Sequence, residues 1–189
     1  MGIIINQSIR STFSYYLGMM VGAVNTVILY PLIFNSNPEY LGLIQILIAY
    51  SLIFSVFTNL SLPSVIIRYF PFIKQKGQLF FFSVILFCIG FIIFSCIFYL
   101  FLSDFISSIT DSSLFIDYTY LIIPLVFFIS FSDVLGALSR SYLDASTPIF
   151  LNEVFLKLYS LTVLIFYWKG YIEFDLFLKI YFVGYLLKF

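Results

Sequence analysis

Few side chains in this sequence could do chemistry, and Asp133 is the most informative of them. It lies inside a long apolar run, about seven residues or roughly 10 Å from the polar end of that run at Arg140. A carboxylate in hydrocarbon is costly unless paired or wetted. Asp133 is therefore expected to face a helix interface or a wet cavity, where it takes a proton, binds a cation such as sodium, or pairs with a basic residue. Arg140 falls on nearly the same helix face. A purely structural ion pair is the competing explanation. Asn25, midway along another apolar run, is an amide able to hydrogen-bond a neighbouring helix or a polar substrate. Glu153 and Lys157 form an i, i+4 pair in the favourable order, read as local neutralisation. Lys179 sits near the end of its run, where its stem can reach water.

Much other chemistry is missing. The 189 residues include no histidine, which removes the common zinc sites and the usual general base. There is no HExxH, no Gly-rich phosphate loop and no Ser nucleophile elbow. Asp104, Asp111 and Asp117 are irregularly spaced in one polar loop and make a poor catalytic pair. The expectation is no enzyme, no metal and no cofactor. A net charge of zero gives no hint of nucleic acid. Cys88 and Cys96 share one apolar run, about 12 Å apart along a helix, and read as membrane-embedded hydrophobes rather than a disulfide.

The elements that must carry these residues follow from composition: 62% of residues are hydrophobic and 10% charged. A membrane-spanning helix needs about 20 apolar residues to cross about 30 Å of hydrocarbon. Six runs meet or approach that length, at 12–34, 41–60, 78–102, 118–138, 149–168 and 176–189. The expected fold is all-α, a polytopic transmembrane bundle of six spans. Residues 61–71, apolar but broken by Pro63 and Pro71, are placed at the membrane interface as a short extra turn of helix. Arg10, Arg68, Lys74, Lys76, Arg140 and Lys188 fall on one side and Lys169 on the other. Basic loops stay inside, so both termini are expected in the cytoplasm. The sixth run is about 14 residues long and reaches Phe189 still apolar, so the sequence is expected to be truncated there.

Span one also carries a stripe of small residues, Ser14, Gly18, Gly22 and Thr26, of the kind that lets helix backbones pack closely. Pro31 is expected to kink that helix. In span two, Ser51, Ser55 and Thr58 share a face, with Gln45 and Asn59 nearby, suited to packing or to a polar cavity wall. Tyr15 and Tyr16 could stack on a sugar.

Several segments, in this order, carry a resemblance. They are Gly2-Ile-Ile-Ile-Asn-Gln-Ser8, Tyr16-Leu-Gly18 and Gly22-Ala-Val-Asn25, then Pro38-Glu-Tyr-Leu-Gly42, Arg68-Tyr-Phe-Pro71 and Pro148-Ile-Phe-Leu-Asn-Glu153. Together they resemble the amino-terminal part of bacterial polysaccharide exporters of the O-antigen flippase type. Those belong to the superfamily of multidrug and toxic-compound extruders (MATE) and the lipid II flippase. Such proteins have about 12 to 14 helices in two pseudo-symmetric lobes, a repeat arrangement suited to alternating access. The resemblance implies that this chain is one lobe of a two-lobe MATE-like transporter, with the second lobe missing. It implies a bacterial inner-membrane location and an undecaprenyl-diphosphate-linked oligosaccharide as substrate, within membrane lipid. Arg10, Arg68 and Arg140 are then candidates for the diphosphate, Asn25 for diphosphate or sugar, and Asp133 for coupling to a proton or sodium. A multidrug or small-solute exporter of the same fold, or a non-transporting scaffold, is the alternative.

Overall fold

The computed structural model describes residues 2–73, 76–101 and 113–188. Lys74, Asp104 and Asp111 lie outside the described residues. Among those described there is no strand, and helix follows helix with short turns. Five helical stretches are long and apolar enough to cross a membrane, at 5–34, 38–59, 76–100, 114–141 and 146–168. That is the pattern of a multi-pass membrane protein. Six spans were expected, and these five do not include the sixth, whose run holds the 14-residue helix Phe174–Leu187.

Many large apolar side chains point outward, among them Val27, Phe57, Phe82 and Ile92. In lipid this carries no penalty, because helix association there depends on packing and interhelical hydrogen bonds rather than on hiding apolar surface. Cys88 and Cys96 are likewise free and exposed.

The chain divides into two compact units. The first joins Met1–Gly42 to Tyr142–Phe189. It contains α1 (Gly2–Ala23), a π-helical turn (Val24–Leu29) and α2 (Tyr30–Phe34), which together make span one. The first turn of α3 (Pro38–Asn59) also belongs to it. Pro31 carries no N–H, so the carbonyl of Val27 loses its α-helical donor. The chain answers with a wider turn just before the proline, in which the Tyr30 N–H donates to the Asn25 carbonyl five residues back.

Span five has the same interruption. Labelled in chain order, α8 (Ser146–Phe150) leads into a π turn (Leu151–Phe155) and then α9 (Leu156–Trp168). α1 packs on this second π turn, and the first π turn packs on α9. α10 (Phe174–Leu187) completes the unit against α9. Tyr159 Oη donates to the Ile180 carbonyl at 2.7 Å, and the Tyr159 ring lies against Gly184, where any β-carbon would collide with it. At the far end, Tyr40 stacks on Phe174 at 3.9 Å between centroids, and Phe34 stacks on Tyr167 at 5.7 Å.

The second unit, Leu43–Ser141, holds the rest of α3, then α4 (Leu62–Tyr69), α5 (Lys76–Leu100), α6 (Ser113–Tyr118) and α7 (Ile122–Ser141). Leu60 and Ser61 take positive φ values of 45° and 63°, a left-handed corner that ends α3 and redirects the chain. The proline-broken segment is thus a two-turn helix, α4, which buries Leu62 and Ile66 against Val134, Ala137 and Leu138 of α7 and against Phe87. Around Phe87 the rings of Phe127 and Phe131 stand 5.5 and 5.4 Å away. Each such aromatic pair adds about 0.5–1.5 kcal/mol beyond area burial.

Candidate functional site

The polar residues of the first unit converge. On span one, Gly22, Asn25, Thr26 and Tyr30 line a cavity of about 240 Å³; span five supplies Asn152, Leu156, Lys157, Tyr159 and Ser160, and α10 supplies Tyr181 and Tyr185. The spacing explains why. Asn152, Lys157 and Ser160 fall on one helical face, as do Tyr181 and Tyr185 four residues apart.

Asn25 is the centre of the site. It is 3% exposed. Its Nδ2 donates to Ser160 Oγ at 2.9 Å and to the Lys157 carbonyl at 3.0 Å. Ser160 Oγ in turn donates to that same carbonyl at 2.8 Å. Both amide hydrogens are thereby used, whereas the buried Asn25 Oδ1 accepts no hydrogen bond among the described residues. Leaving such an acceptor dry costs about 1–3 kcal/mol. Across the cavity, Tyr30 and Tyr181 share one hydrogen bond between hydroxyls 3.2 Å apart. One phenolic hydrogen is then left for another acceptor.

The Lys157 charge is offset within its own helix. Lys157 Nζ contacts Glu153 Oε2 at 2.8 Å. Among the described residues, no acidic side chain lines the cavity itself. Beside it, the buried Lys188 donates to Asn152 Oδ1 at 3.0 Å and lies 5.6 Å from the Tyr185 ring centroid. Among the described residues no cluster of three metal-ligating side chains occurs.

The small-residue stripe runs into this site. Ser14 and Gly18 are buried and Gly22 is partly so, while Thr26 is exposed but borders the cavity. Ser14 and Thr26 donate back to the carbonyls of Arg10 and Gly22. Gly18 presses on the backbone of Glu153, and Gly22 faces the Lys157 stem.

The other candidates lie elsewhere. Arg10 is exposed on α1, Arg68 is exposed in the last turn of α4, and Arg140 is exposed in the last turn of α7. Asp133, half-buried on α7, accepts from Asn59 Nδ2 at 3.4 Å, within the second unit. Ser51 and Thr58 bond back to carbonyls of their own helix, Gln45 is exposed, and Asp117 is exposed on α6. Tyr15 and Tyr16 also face outward. Sequence reasoning missed Tyr30, Asn152, Ser160, Tyr181 and Tyr185. The tyrosine pair at i, i+4 and the polar face of span five were the available signals.

Comparison with protein families, with curated proteins and with solved structures finds no match to this chain.

Proposed function

We infer that this chain is one lobe of a bacterial inner-membrane transporter that moves undecaprenyl-diphosphate-linked oligosaccharide to the outer leaflet by alternating access. Both termini are on the cytoplasmic side, and a second lobe completes the cavity. The observation that carries this reading is a polar cavity inside a helical unit whose outer surface is apolar. Hydrophilic side chains at that depth are expensive unless they serve a polar passenger. Gly18, Gly22 and the two π turns supply the close packing and the irregular backbone that a rocking bundle needs. Arg10, Arg68 and Arg140, on the basic side of the spans, attract the diphosphate, and Asp133 couples the movement to a proton or sodium ion.

Deleting the gene in its bacterial host tests this. Surface polysaccharide should disappear, and lipid-linked oligosaccharide should accumulate in the cytoplasmic leaflet. Normal surface polysaccharide overturns the reading, and a rise in drug sensitivity beside it would assign the chain to small-solute export instead.

A further inference from the structure

We propose that span two is a broken membrane helix, hinged inside the hydrocarbon at Leu60 and Ser61 and latched by the hydrogen bond from Asn59 to Asp133. The movement lies within the second unit and does not depend on what the chain transports.

The neighbours of the corner fix its depth. The Thr58 carbonyl lies against Gly90 of α5, where a β-carbon would stand 2.5 Å from that oxygen. Gly90 is about 18 Å along the helix from Gln78, in the first turn of α5, and about 15 Å from Leu100 at the other end. Asn59 meets Asp133 about 10 Å inside the end of α7 at Arg140. In a hydrocarbon core of about 30 Å, both measures put the corner well inside. Irregular backbone at such depth must be covered by protein, and Thr58, Asn59 and Leu62 are buried. α4 then carries the chain on to Arg68, with Val65 and Ile67 turned outward toward lipid.

The backbone makes the corner a joint. Leu60 and Ser61 take φ values of 45° and 63°, which residues with a side chain rarely adopt. The bonds of the turn run from the Ser64 and Val65 N–H groups to the Ser61 carbonyl, and neither of them ties α4 back to α3. The two halves also hold different partners. α3 ends with its backbone on α5 at Gly90, whereas α4 packs chiefly on α7. A swing of α4 and α7 relative to the end of α3 is absorbed at those two residues, as hinge motions are. The bond from Asn59, the last residue of α3, to Asp133 on α7 spans the joint. At 3.4 Å it is long for a hydrogen bond, so it holds the joint closed only weakly.

Pulsed EPR on the full chain in lipid nanodiscs provides the test, with Cys88 and Cys96 replaced by Ala. Spin labels on Gln45→Cys in α3 and Ile67→Cys in α4, both at exposed positions, report the distance across the joint. Asn59→Leu and Asp133→Leu each remove the latch from one side. Each should shift the distance distribution by several ångströms or add a second distance. A distribution identical to the parent's in either variant would overturn the hinge. Depth has its own readout. In sealed vesicles, Leu60→Cys in the same background should not react with a membrane-impermeant maleimide until detergent is added. Reaction before detergent would overturn the placement in hydrocarbon. Ser61→Gly relieves the positive φ and should raise the thermal midpoint. An unchanged or lowered midpoint, the latter being what glycine gives inside a regular helix, would overturn the left-handed joint.

Discussion

Gly18 on span one rests directly against the backbone of Glu153 on span five, so closely that a β-carbon there would stand 2.9 Å from the Glu153 carbonyl carbon. Backbone cannot swing aside as a side-chain tip can. Four residues on, Gly22 meets only the flexible stem of Lys157, the nearest atom 3.4 Å from such a β-carbon. The two glycines should therefore respond differently. Gly18→Ala is expected to cost about 1–3 kcal/mol through overpacking, lowering the thermal midpoint of the purified protein in detergent. Gly22→Ala should cost much less. Equal midpoints for the two variants would show that the contact at Glu153 is not tight.

Between α9 and α10, Gly184 packs closely against the ring of Tyr159. The Tyr159 hydroxyl also donates to the Ile180 carbonyl at 2.7 Å, tying the short α10 to span five. Tyr159→Phe retains the ring and deletes that bond. Interhelical hydrogen bonds in membranes average about 0.6 kcal/mol, with a maximum near 1.7. A loss of stability within that range is expected on chemical denaturation. A neutral result would mean that ring packing alone holds α10.

These contacts mark how far the sequence could be read. A run of about 20 apolar residues is a local signal, so the long spans were legible, as was the proline-broken turn that became α4. Asn25 stood out because an amide in an apolar run is expensive wherever it is. Its partners did not stand out, because Lys157 and Ser160 lie 132 and 135 residues away in sequence. Only helix packing brings them together. The π turns were half legible: Pro31 announced an irregularity but not its form.

Asp144 gives a pH prediction outside the spans. Its Oδ1 accepts from the Thr147 N–H at 3.2 Å and from the Ser146 hydroxyl at 3.1 Å, just ahead of α8, whose N-cap is Ala145. Hydrogen bonding from Thr147, foremost through its side chain, holds the carboxyl below its ordinary value of 3.8. Those bonds favour the charged form. Their contribution is complete above the ordinary value and is lost as pH falls through the lower folded value. Losing a hydrogen bond of this kind costs about 0.5–1.5 kcal/mol. Asp144→Ala should thus be less stable than wild type at neutral pH, and the gap should narrow as the medium is acidified below pH 3.8. A gap independent of pH would assign the effect to something other than the charge.

Asp133 and Arg140 share α7 but have different surroundings: Asp133 is half-buried and accepts from Asn59 at 3.4 Å, while Arg140 is exposed in the last turn. On the transport reading the first couples an ion and the second attracts an anion. Asp133→Asn preserves shape and removes the charge, so it should lower surface polysaccharide without lowering protein abundance. A coupling of about 1–3 kcal/mol corresponds to roughly a 5- to 150-fold loss. Arg140→Ala should also lower export, and more so at high ionic strength in reconstituted vesicles if the remaining attraction comes from Arg68 on α4, since salt screens exposed charges. Normal export in both variants, at normal protein level, would remove the coupling role from Asp133 and the steering role from Arg140.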